Sequence, residues 1–224
     1  MGVKTYSLKK DGEKALSKHF KVREFRCKDE NDTILVSEEL VQKLEKLRAA
    51  LGCSINVNSG YRTKTHNKKI GGSATSKHCL GLAADIICKR SGKTVPSKEV
   101  CCAAQKLGFS GIAYITGSAT HVDVRESGRF WADESKQNKP VKDFYLYFGY
   151  PNPYTCPLVT VKRGAKGDGV KWVQFQLNRA GFEVAIDGSC GAKTEQAIMR
   201  FQKAKGLTQD GKVGRITKAA LKRV

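Results

Sequence analysis

The chain has 224 residues and a formal net charge of +20, with 40% hydrophobic residues, nine Phe, seven Tyr and two Trp. That apolar content suffices for packed cores and excludes a globally disordered chain, while no apolar run approaches the roughly 18 residues of a membrane-spanning helix. The positive charge implies a polyanionic partner: nucleic acid, anionic lipid or a cell-wall polymer.

The charge is spread over both halves, and no basic–aromatic interleaving of a nucleic-acid module occurs, so neither nucleic acid nor membrane is the expected partner. The N-terminal MGVKTYSLKKDGEKALSKHF carries basic residues with no apolar stretch behind them, so the expectation is synthesis in the cytoplasm without a secretory signal. Eight cysteines form no CxxC pair, which argues against a zinc ribbon or thioredoxin site and for reduced thiols packed as small hydrophobes.

The first strong element is SEELVQKLEKLRAAL (37–51). Leu40, Leu44, Leu47 and Leu51 make one stripe, Ser37 is placed as N-cap, and Gly52 stops the helix. CSINVN (53–58) alternates as a half-buried strand, and LAADIIC (82–88) follows a turn-rich loop as a second strand. PSKEVCCAAQKLGF predicts a helix opened by Ser97, and GIAYI and THVDVR predict two further strands. Without steady β–α alternation, these elements predict an α+β domain on an antiparallel sheet over residues 1–148.

Pro151, Pro153 and Pro157 cannot continue a helix or a central strand, so a linker is expected at 149–159. Beyond it, DGSCGAKT (187–194) and DGKVGRIT (210–217) repeat the pattern D-G-x-x-G-x-x-T, each with a turn and a threonine suited to capping the next helix. With VKWVQFQLNRAGF before them, they predict a three-helix unit over 160–224 that binds rather than catalyses.

SKHCLGLAAD (76–85) holds the chemistry. Asp85 stands between Ala83-Ala84 and Ile86-Ile87, where a bare carboxylate needs a cation or a strong partner. His78 and Asp85 are too far apart along the chain to share an ion unless it folds back, which Gly81 permits. In THVDVR, period 2 puts His121 and Asp123 on one face, so that one can hold a metal while the other reaches its bound water. The bland alternatives are that Asp85 pairs with an arginine and Asp123 with Arg125. HExxH is absent, which excludes a helical zincin site.

FKVREFRCKD, SGYRTKTHNKKIGGSATSKHCLGLAADI and THVDVR together resemble the zinc D-alanyl-D-alanine carboxypeptidase family, which includes L-alanyl-D-glutamate endopeptidases of phage endolysins. The resemblance covers about residues 15–130. It implies one zinc ion held by His78, Asp85 and His121, with Arg62 binding a substrate carboxylate or polarising the scissile carbonyl, and Ser76 also contacting substrate. Several relatives carry an acid three residues before the last histidine. Here that residue is Ser118, so Asp123 is assigned as general base. The second region resembles a peptidoglycan-binding domain. The expectation is a monomeric, endolysin-like zinc peptidase that cuts peptidoglycan peptides. It would act on the wall after release from the cell, with anionic wall polymers as further partners. A non-catalytic wall binder with a structural zinc is the alternative.

Overall fold

In the computed structural model, which describes residues 2–115, 119–134 and 137–224, the chain forms two compact units, Met1–Val141 and Lys142–Val224. Ser118 lies outside the described residues. No helix among the described residues is long and apolar enough to cross a membrane.

The first unit opens with β1 (Val3–Ser7), α1 (Leu8–Asp11) and β2 (Thr33–Ser37), the two strands pairing antiparallel. The leucine stripe then folds as α2 (Glu38–Leu51). The Ser37 hydroxyl accepts the Leu40 N–H at 3.4 Å, and Gly52 closes the helix in the left-handed region. Leu40, Leu44 and Leu47 are fully buried there.

The main sheet uses β3 (Ser54–Ser59), β4 (Ala83–Arg90), β5 (Lys93–Thr94), β6 (Gly111–Ile115), β7 (Ala119–Asp123), β8 (Arg129–Glu134) and β9 (Gln137–Val141), with α3 (Lys64–Lys69) and α4 (Ser97–Lys106) between them. The strand order is β3-β4-β7-β6-β8-β9, with β5 on β4. The fold is α+β as expected, and its sheet is antiparallel except that β6 and β8 run parallel. Pro140 sits in β9 at the sheet edge, where a missing donor is tolerated.

Along β4, Ala84, Ile86 and Cys88 turn inward and are fully buried, while Asp85 points to the other face. This resolves the oddity of an aspartate among apolar residues, because alternation sends it away from the core. Burial raises the thiol pKa values of Cys88 and Cys101, the latter to about 12. None of the eight cysteines is bonded to another, and six of them are buried.

In the second unit, α5 (Phe144–Tyr147) precedes the proline-rich stretch, and α6 (Asp168–Arg179), α7 (Ala192–Ala204) and α8 (Arg215–Leu221) make the three-helix core. Residues 149–159 form no helix or strand, yet they pack onto this unit. Asn152 donates to the Trp172 carbonyl and to Gln176, and Tyr154 lies against the core.

The doubled motif is a pair of glutamine brackets. Gln174 Nε2 donates to Asp187, the Ser189 carbonyl and the Thr194 hydroxyl, and Gln174 Oε1 accepts the Gly188 N–H. Gln202 repeats each contact with Asp210, Lys212, Thr217 and Gly211. The expected threonine caps are therefore corrected. Gly191 and Gly214 are the caps, and each threonine sits at the third helical position, buried and accepting from its glutamine.

Because both groups of the buried amide are used, Gln202→Leu leaves several partners unsatisfied. It should destabilise the second unit by about 2–3 kcal/mol, read as a lowered urea midpoint of the full chain.

Candidate metal centre

Register builds the site. Asp85 on β4 lies directly opposite His121 on β7, and Ser59 on β3 lies opposite Asp85 from the other side. His78 arrives on a one-turn 3-10 helix, Lys77–Leu80, that Gly81 ends with φ of 68°. A side chain at 81 would also come within 2.6 Å of the Leu35 backbone, so this reversal requires glycine on both counts.

His78 Nε2, His121 Nδ1 and Asp85 Oδ1 converge, at 3.1 Å between the two nitrogens, 2.9 Å from His121 to Asp85 and 3.2 Å from His78 to Asp85. Both imidazoles are held from behind. His78 Nδ1 donates to the Gly60 carbonyl at 2.7 Å, and His121 Nε2 donates to Asp123 Oδ2 at 2.9 Å. These partners fix the tautomers so that the two remaining nitrogen lone pairs face the Asp85 oxygen.

Three mutually facing acceptors repel unless a proton or a cation lies among them. Tetrahedral zinc with bonds of about 2.0–2.1 Å needs donor atoms about 3.3 Å apart, close to the spacing here. The donor set therefore fits zinc.

The SGYR segment supports this centre residue by residue. Ser59 Oγ accepts the Arg62 Nε–H at 2.8 Å, the Gly60 carbonyl holds His78, and the Tyr61 N–H bonds the Phe25 carbonyl at 2.8 Å. The Arg62 guanidinium donates to Asp85 Oδ2, leaving Oδ1 for the convergence. Asp85 thus has both the arginine partner and the place at the centre that the sequence offered as alternatives. Burial works to raise its pKa, but hydrogen bonds with His121 and His78 carry it well below the usual carboxylate range. Burial lowers the His121 pKa, and the carboxylates of Asp123 and Asp85 outweigh it and raise the value to about 8.

Asp123 does not fit the general-base role expected of it. Its side chain is 0% exposed, and Arg125 covers it with Nε at 2.8 Å from Oδ1 and a second donor on Oδ2. It stands on the side of the His121 ring away from the convergence, and does not line the cleft. Period 2 put it beside His121, and there its carboxylate accepts the Nε2–H of that ring. The pocket that receives it exists because residue 111 on β6 is glycine, where a Cβ would collide with the carboxylate.

The convergence forms the floor of a cleft of about 370 Å³, which Arg62 and Ser76 also line. Trp131, Arg125 and Arg129 form a wall that sequence reasoning did not single out. Both guanidinium carbons lie over the Trp131 ring, at 5.2 and 5.3 Å, and the ring is 5.2 Å from His121. The R-F-W run (129–131) after the Ser127-Gly128 turn was the available signal.

Residues 18–123 match the Peptidase M15 family model, and residues 166–221 match a putative peptidoglycan binding domain. The zinc D-Ala-D-Ala carboxypeptidase of Streptomyces albus G is 35% identical over 101 residues, which is 42% of this chain and 36% of the relative. The chain therefore spans about a third of the length of that curated relative.

A peptidoglycan-binding protein from Clostridioides difficile is similar over 28% of this chain and 40% of its own, at 40% identity and a TM-score of 0.28. The endolysin of the Burkholderia phage AP3 is similar over 28% of this chain and 24% of its own, at 38% identity and a TM-score of 0.28. Two stretches of the chain therefore match family models in order, Peptidase M15 first and a putative peptidoglycan binding domain second.

Two outcomes follow. If Asp123 orients His121, Asp123→Asn should weaken zinc affinity by about tenfold to a hundredfold in a competition titration, without unfolding the domain. Because His121 holds a proton below about pH 8 when metal is absent, zinc uptake at pH 7 should release that proton. Uptake at pH 9 should not, and calorimetry in buffers of different ionisation enthalpy measures the difference.

Proposed function

We propose that the chain is a zinc-dependent peptidase that hydrolyses peptide bonds in the stem or cross-bridge peptides of bacterial peptidoglycan, with its second unit holding it on the wall. The observation that carries this reading is a three-ligand centre, His78, Asp85 and His121, at the floor of an open cleft. Three protein ligands facing an open cleft leave a coordination position for water or substrate, as a catalytic zinc requires.

One ion bound there supplies Lewis-acid polarisation of a carbonyl and a water acidic enough to ionise near neutral pH. The residues around it do the rest. Arg62, held by Ser59 and Asp85, and the Arg125–Trp131–Arg129 wall present guanidinium groups to a peptide carboxylate or to a carbonyl oxygen gaining charge. Ser76 lines the same cleft and contacts substrate. Asp123 keeps the His121 ring in place and takes no proton from water. Asp85 apart, Asp133 is the carboxylate lining the cleft among the described residues, and we assign it to accept that proton.

Tethering by the second unit raises the local concentration of cleavable bonds without new contacts at the centre. The +20 charge favours walls bearing anionic polymers. We place the protein's action at the wall after release from the cell that makes it.

Isolated murein is the test. The zinc-loaded chain should release new amino and carboxyl termini, with mass spectrometry of the products naming the bond. Chelation should stop release and zinc restore it, and Asp133→Asn should lower kcat with little change in KM. Binding to murein without any release from the zinc-loaded chain would instead identify a non-catalytic wall binder.

A further inference from the structure

A second convergence of metal-binding atoms lies outside the cleft, under the turn that carries Arg62. The Cys27 sulfur, an Asp29 carboxylate oxygen and a His66 ring nitrogen lie within 4.8 Å of one another. None of the three lines the cleft.

Thr63 organises all of them. Its backbone N–H points at Cys27 Sγ at 3.3 Å, its hydroxyl donates to Asp29 Oδ2, and that hydroxyl's oxygen accepts the His66 backbone N–H at 3.1 Å. The sulfur is buried and accepts a backbone N–H at 3.3 Å, which leaves its position fixed. Asp29 accepts the Asn31 N–H on its other oxygen at 3.2 Å, so its carboxylate is also oriented. His66 sits in the first turn of α3, whose N-cap is Thr63, so capping the helix also aims the ring.

A thiolate, an imidazole and a carboxylate at this spacing are a donor set that suits zinc. Magnesium and calcium take oxygen ligands and would leave the sulfur unused.

We infer that Cys27, Asp29 and His66 form a second metal site of the zinc class, distinct from the centre in the cleft. Its role is structural. The thiol gives its proton to solvent as the ion binds, and the ion ties residues 27–29 to the turn at 62–66. The residues just before each segment are already joined, with the Tyr61 N–H on the Phe25 carbonyl and Gly60 so close that a Cβ would lie 2.6 Å from Phe25 Cα. Arg62 projects from that turn toward Asp85, so the second ion braces the arginine without touching the cleft.

Cobalt titration of the full chain, stripped by chelator, tests this. The native protein should bind two equivalents and develop a near-ultraviolet thiolate-to-cobalt charge-transfer band, which the sulfur-free set of His78, Asp85 and His121 cannot give. Cys27→Ser should remove the band and one equivalent. His66→Gln, which spares the buried thiol, should weaken the band-forming step by about tenfold or more. His121→Ala should remove the other equivalent and keep the band, which separates this site from the peptidase centre. One equivalent with no band in the native chain, or a band that survives Cys27→Ser, would overturn the site.

Discussion

Three lone pairs aimed at one point, each from an atom whose neighbour is already engaged, govern the first unit. The Gly60 carbonyl turns His78, Asp123 turns His121, and Arg62 takes the oxygen of Asp85 that the centre does not need. Removing water from such groups is costly, and the arrangement is tolerable because every polar atom behind the convergence is paired. Much of the surrounding architecture serves this condition. The β4–β7 register sets Asp85 opposite His121, and the reversal at Gly81 returns His78 to them.

What the sequence reveals of this follows from how local each constraint is. The leucine stripe, the alternation around Asp85 and the turn at Gly81 are statements about neighbouring residues, and each is legible. Asp123 shows where legibility stops. Alternation says which face it shares with His121, but not which ring nitrogen it meets. That depends on Gly111 from β6 leaving room for the carboxylate and on Arg125 curling back over it. The N-terminal pair β1–β2 and the hairpin of β8 and β9 at one end of the sheet escape notice for a related reason. Their short segments carry too little pattern to stand out, and β1 and β8 depend on partners further along the chain, β2 and β6.

The second unit teaches the converse. D-G-x-x-G-x-x-T is plain in the sequence as a repeat, yet its meaning lies with a residue outside the motif. Gln174 and Gln202 each reach from the preceding helix to bind the aspartate, a loop carbonyl, the glycine N–H and the threonine at once. Threonine at that position looks like a cap when read alone. It becomes an acceptor only when the helix before it is packed alongside. Buried amides with all their groups matched also pin the loop conformation, which a purely apolar contact would leave freer to slide.

The two tryptophans fall one to each unit. Trp172 is in the three-helix core, and Trp131 lies beside His121 under two guanidinium groups. Indole emission is sensitive to neighbouring charge and to imidazole protonation, so the chain contains its own pair of optical reporters. One is tuned to the state of the cleft and the other to the integrity of the second unit, which lets occupancy and unfolding be followed separately in the unlabelled protein.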